Sequence, residues 1–191
     1  MPGTVRKSKA EIATIDCCLV TIKIGVDEFG FDTSNKVGVE PEIETQDAVK
    51  LVIKGVLRAQ KKKQSTITGH IITLTDNVFN PDLVLAIQGG AIVYDLVTPT
   101  KIIGYDAPLS GVKVELQPFD LNCYSAQYDS AGKIVNYEQI TYPNGSGDPI
   151  AFSSEDGAFR APEYSIYSAP AQGQSPYTIR YVNILPVLTT V

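Results

Sequence analysis

The chain has 191 residues, 43% of them hydrophobic, and a formal net charge of −5 at pH 7, which fits one globular domain with a sizeable core better than two. The charge is uneven, with 11 basic against 9 acidic residues up to Lys63 and 5 against 12 from Gln64 onward; this disfavours tight duplex binding and suits a basic segment laid on an acidic neighbour. Adjacent Cys17 and Cys18 and distant Cys123 offer no disulfide framework or shared metal, and no apolar run reaches the roughly twenty residues that cross a bilayer.

In chain order, residues 1–13 read as an N-terminal arm, with basic residues but no apolar stretch of signal-peptide length behind them. A single domain, 14–191, follows. Thr14 to Val26 holds a continuous Cys-Cys-Leu-Val-Thr-Ile-Lys-Ile run, the pattern of a strand buried on both faces. Asp27 to Gln46 reads as a long polar loop carrying Asp27, Glu28, Asp32, Glu40, Glu42 and Glu44; loops of that length in compact domains usually serve a function or a partner.

Next come two long strand-like runs, Asp47–Arg58 and Ser65–Thr75, around the basic tip Gln60-Lys61-Lys62-Lys63-Gln64. A typical strand has about five or six residues, so this reads as a hairpin protruding beyond its own domain. Alternation puts Val49, Leu51, Ile53 and Leu57 on one face and Lys50, Val52, Lys54, Val56 and Arg58 on the other. The assembly loop and hairpin together span about 27–66.

Asn80 to Gly89 carries the marks of a short helix. Asn80 suits the N-cap, Pro81 the first helical position, Asp82 the positive end, and Gly89 the stop. Leu83, Ala86 and Ile87 make an apolar stripe, widened by Val84 and Leu85, so the helix lies on a sheet.

Short strands then alternate with turns: 91–96, 101–105, 112–117, 121–128, 134–141, 151–152, 159–167 and 177–184. Asp129–Lys133 reads as a tight turn and Tyr142–Pro149 as a broad reversal. The expected fold is mainly β, a β-sandwich or barrel with one flanking α-helix and a long protruding β-hairpin. All ten tyrosines fall between Tyr94 and Tyr181, and some suit subunit contacts, where a large ring with a water-tolerant hydroxyl is useful.

Catalytic chemistry finds little support. His70 is the sole histidine, so a Ser-His-Asp site or a histidine metal cluster would depend on it alone, and a structural role is favoured. Gly145-Ser146-Gly147 lacks the outer glycines of a nucleophile elbow, and Gly89-Gly90 lacks the lysine and hydroxyl of a phosphate loop. The acids at Asp27–Asp32 and Glu155–Asp156 lack calcium-loop spacing. The expectation is a protein without catalytic residues, metal or cofactor.

Five runs stand in order along the chain: Val37-Gly-Val-Glu-Pro41, the run from Thr68 to Pro81, Tyr124-Ser-Ala-Gln-Tyr-Asp129, Phe152-Ser-Ser-Glu-Asp-Gly157 and Arg160-Ala-Pro-Glu-Tyr164. Together they resemble tail tube proteins of bacteriophages, particularly those of prophages of Gram-positive bacteria. The resemblance covers roughly Val37 to Leu185 and rests on the order of the matches. It implies a virion tail subunit, assembled in the host bacterial cytoplasm into hexameric rings stacked as a hollow conduit for DNA ejection. The implied partners are further copies of the chain, then sheath, tape-measure protein, baseplate and tail terminator, with DNA passing but not tightly held and no membrane contact.

On this reading Asp27, Glu28, Asp32, Glu40, Glu42, Glu44, Arg58, Gln60, Lys61, Lys62, Lys63 and Gln64 are inter-ring candidates. Lys50, Val52, Lys54 and Val56 face the bore or the next ring. The alternatives are a tube of a phage-derived bacteriocin without DNA and a monomeric immunoglobulin-like binding or decoration module.

Overall fold

The computed structural model describes residues 14–153, 156 and 161–188; the expected arm at 1–13 lies outside them. Thirteen strands and one helix follow one another as β1 (Thr14–Ile24), β2 (Asp27–Phe31), β3 (Ser34–Gln46), β4 (Val49–Ile53), β5 (Val56–Lys61), β6 (Gln64–Asp76), α1 (Pro81–Gln88), β7 (Ala91–Tyr94), β8 (Ile102–Asp106), β9 (Phe119–Tyr128), β10 (Ile134–Gly147), β11 (Ala151–Ser153), β12 (Ala161–Ser168) and β13 (Thr178–Val182). The fold is mainly β with one helix.

Nine strands form one antiparallel sheet in the order β2-β1-β9-β10-β12-β6-β3, with β11 beside β12 and β13 beside β10. The long strand β10 is the hinge of this arrangement. Its first half pairs with β13 through Tyr137–Thr141, and its end pairs with β12 through Gly145–Gly147. Two wings therefore diverge from it. Val20, Ile22, Leu121 and Cys123 of one wing and Ile72, Leu74, Tyr164 and Ile166 of the other bury into one core, which Leu83, Val84 and Ile87 of α1 complete. The sheet does not close into a barrel, since β2 and β3 end its strand order.

The buried run of β1 is Leu19–Ile22. Val20 and Ile22 belong to the core, whereas Thr21 faces the polar side and donates to Glu28 at 2.6 Å. The helix starts as its residues dictate: the Asn80 side chain accepts from the Asp82 amide at 3.2 Å, and the Gly89 amide donates to the Leu85 carbonyl at 2.9 Å. Gly89 has φ 78°, a conformation open to glycine at little steric cost.

Four expectations need correction. The stretch Asp27–Gln46 is strand, not loop: β2 pairs with β1, and β3 pairs with β6 along nearly its whole length, from Ser34 opposite Asp76 to Gln46 opposite Gln64. The partner of Ser65–Thr75 is thus β3 and not Asp47–Arg58. Tyr142–Pro149 is no reversal, because β10 runs to Gly147 and absorbs the irregularity as a register shift between Tyr142 and Gly145, with Asn144 at φ 54°. Finally, 112–117 forms no strand.

Candidate assembly surface

The β3–β6 ladder leaves the core about halfway along. His70, Ile72 and Leu74 are buried on β6, whereas Gln64–Thr68 and the facing residues of β3 are exposed. A register shift between Glu42 and Ile43 marks the change, with Gly69 opposite Glu42 and Ile67 opposite Ile43, so Thr68 is the extra residue. Such a bulge bends the ribbon and increases its twist.

At the far end β4 and β5 form a second, smaller hairpin. Ile53 lies opposite Val56, so the reversal is the two-residue turn Lys54-Gly55, with φ 52° and 78°. Positive φ at both central positions is the backbone of the tight hairpin turn whose twist matches that of its strands. The expected tip at Gln60–Gln64 is therefore displaced. Lys61 ends β5, Lys62 and Lys63 connect it to β6, and Gln64 begins β6 opposite Gln46, so the three lysines form the elbow of the arm. There the Lys61 ammonium donates to the Gln46 side-chain oxygen at 3.2 Å.

The turn also changes the expected faces. Val52 pairs with Leu57 and Leu51 with Ala59, leaving Arg58 as a bulged residue. Val49, Leu51, Ile53 and Val56 consequently share one side, and Lys50, Val52, Leu57 and Gln60 the other. Val56 does not join Lys50 and Val52, and Lys54 sits in the turn itself. Both sides carry apolar groups, about half exposed: Leu51 52%, Val52 55%, Val56 53%, Leu57 51%.

Glu40, Glu42 and Glu44 line one side of β3, along the free edge of the sheet, while Val37 and Val39 point to the side of Leu74 and Ile72. Asp27 and Glu28 stand apart from the arm, on β2 at the other end of the strand order, and Asp32 lies between β2 and β3. Glu28 belongs to a polar network on the outer face of β1, β9 and β10. Asn122, nearly buried, donates to Thr21 at 3.1 Å and accepts from Thr141 at 2.6 Å and Gln139 at 3.2 Å. Lys23, Asp120 and Arg180 rim the same depression, of about 270 Å³.

His70 is buried with its Nδ1 unpartnered, edge-on to Tyr142 at 5.2 Å and Tyr177 at 5.5 Å between ring centroids. Burial pushes its imidazole below the ordinary range. Burial likewise raises the Cys123 thiol to about 12. Among the described residues no three potential ligands come together as a metal site, and no helix is long and apolar enough to cross a membrane.

No protein-family model and no curated protein matches the chain. Two structures solved by cryo-EM are similar in outline. One is a chain of the sheath-tube complex, in the extended state, of an extracellular contractile injection system named PVC. It aligns at a TM-score of 0.39 and 14% identity over 85% of this chain and 88% of that one. The other is a chain of the anti-feeding prophage baseplate, at a TM-score of 0.35 and 9% identity over 95% and 98%. Chemically, the arm offers association: apolar side chains on both sides of a two-stranded ribbon, a free sheet edge beside it, and a cluster of cations at its elbow.

Proposed function

We propose that this chain is a structural, non-catalytic subunit of a phage-type tail tube, and that it works by polymerising with copies of itself. The observation that carries this reading is the arm from Val49 to Lys61, whose residues are all exposed and whose apolar side chains stay about half open to solvent on both sides of the ribbon. An isolated two-stranded hairpin is marginal in water, and exposed apolar strands with free edges invite pairing. A second copy satisfies both. The charge split supports a like partner, because the arm and elbow from Asp47 to Gln64 hold six basic residues and one acid in a chain of net −5.

In this reading six copies close a ring and rings stack into a hollow conduit for DNA ejection, with sheath, tape-measure protein, baseplate and terminator as further contacts. The resemblance of several ordered residue runs to tail tube proteins of Gram-positive phages and prophages favours that arrangement. Electron microscopy and sedimentation velocity of the purified protein over a concentration series test it. Stacked rings of constant diameter are expected; a chain that stays monomeric at the highest concentrations overturns the reading.

A further inference from the structure

Resting on the reading of this chain as a self-assembling subunit, a groove away from the arm acquires a specific occupant. It lies between the β1–β2 turn, the exposed side of α1 and the segment before β9, with a volume of about 290 Å³. Ile24, Phe29, Leu85 and Leu116 give it an apolar floor, and Asp27 and Asp82 stand on its rim. Phe29 and Leu85 are more than a third exposed. Neither carboxylate has a cation within ion-pairing distance among the described residues. Small-molecule sites usually occupy about 300–1,000 Å³ and enclose most of their ligand. This groove sits just under that range and is shallow, a size suited to a few side chains.

We infer that the groove receives the hairpin tip Ile53-Lys54-Gly55-Val56 of a second copy of this chain, with Ile53 and Val56 on the apolar floor and Lys54 between Asp27 and Asp82. The tip has the complementary composition. Two apolar side chains flank a cation held outward by a two-residue turn, and Gly55 adds no side chain that would block approach. No arm residue lines the groove of its own chain, and Lys54 has no carboxylate partner among the described residues.

Socket and plug are different surfaces of one molecule, so the contact is heterologous. It repeats head to tail and yields rings if the rotation closes or filaments if it does not. Complementary charge then sets encounter rate and register, while the apolar pair supplies most of the burial.

A charge exchange tests the pairing. Asp27→Lys and Lys54→Asp should each lower the assembled fraction at least tenfold in sedimentation velocity, and the double variant should recover to within about threefold of the wild type. Retained helical and strand circular dichroism and an unchanged unfolding midpoint would confirm folded monomers. A photo-crosslinking residue in place of Ile53 should join peptides containing Leu85 or Leu116 of another copy. Full assembly by both single variants, failure of the double variant to recover, or crosslinks confined to other segments overturns the docking while leaving the subunit reading intact. A wild type that never assembles defeats the subunit reading, and the docking with it.

Discussion

Pro41 lies directly opposite His70 in the ladder between β3 and β6. Proline has no amide hydrogen, so it is tolerated here because β3 is an edge strand. His70 itself is enclosed by Tyr142 and Tyr177 with no partner for Nδ1. Its lowered pKa arises from desolvation, so the folded protein holds the neutral imidazole more firmly than the unfolded chain does.

The sign of the pH effect follows. The associated stability is complete above the unfolded value of 6.5 and is lost as pH falls from there through the lowered folded pKa. The unfolding midpoint should therefore begin to drop as pH falls below about 6.5, before most carboxylates titrate. His70→Phe keeps a ring in the cluster and should flatten that slope. Equal slopes for both proteins would detach His70 from the acid sensitivity.

The cap of α1 gives a second prediction. The helix has eight residues, too few to be stable alone, and the Asn80 side chain binds one of its free amides. Asn80→Ala should cost about 1 kcal/mol, which corresponds to a fall of about 2–4 °C in midpoint for a chain of this size. Asn80→Asp should restore most of it, since a carboxylate caps as well and suits the positive helix end.

How much of this was readable from sequence differs by segment, for physical reasons. Asn80-Pro81-Asp82 and Gly89 mark α1 because capping is local chemistry. The Asp129 turn is equally local, with its carboxylate accepting from the Ala131 and Lys133 amides at 2.9 Å each. The strand β3 was hidden because Glu40, Pro41, Glu42 and Glu44 have loop composition, and only Val37, Val39 and Ile43 keep the alternation. An exposed edge strand needs few apolar residues, so its pattern is weak. Lys54-Gly55 lacked the usual Asn-Gly signature of a tight turn, and missing it placed the tip at the lysine cluster and misassigned both faces of the arm. The groove at Asp27 and Asp82 joins residues far apart in sequence, so only the packing of α1 against the β1–β2 turn reveals it.

Two glycines should behave in opposite ways. An added Cβ at Gly55 meets nothing within 4 Å, so Gly55→Ala carries only the strain of φ 78°, on the order of 1 kcal/mol, within an arm that does not hold the core. At Gly147 the same atom would run into the Ile87 side chain and lie 3.1 Å from its carbonyl oxygen, where β10 meets α1. Gly147→Ala should lower the global midpoint by the equivalent of about 1–3 kcal/mol. Gly55→Ala should leave the midpoint in place and weaken assembly.

Asn122 tests the polar face of the sheet. Thr141 and Gln139 both donate to its carbonyl oxygen, and its amide reaches Thr21. Asn122→Ala strands these groups on a nearly buried surface, an expected loss of about 1–3 kcal/mol. Thr141→Val in the Asn122→Ala background should then cost less than Thr141→Val alone, because the bond it removes is already gone. Simple additivity in this cycle would show that the network contributes nothing beyond its separate members.

The arm should be separable from the fold, and the ladder shows where to cut. Gln46 and Gln64 are partners at the outer end of β3 and β6, so replacing residues 47–63 by Asn-Gly joins two facing positions through a turn that suits a hairpin. The deletion removes no core residue, since Val49–Lys61 is exposed throughout. The shortened chain should fold with an unchanged midpoint and remain monomeric where the wild type assembles. A milder change, Lys61→Glu with Lys62→Glu and Lys63→Glu, reverses the elbow and should block stacking without touching the tip. Tubes of normal length from the shortened chain would show that assembly proceeds through other surfaces, whereas loss of folding would show that β4 and β5 support the core they extend from.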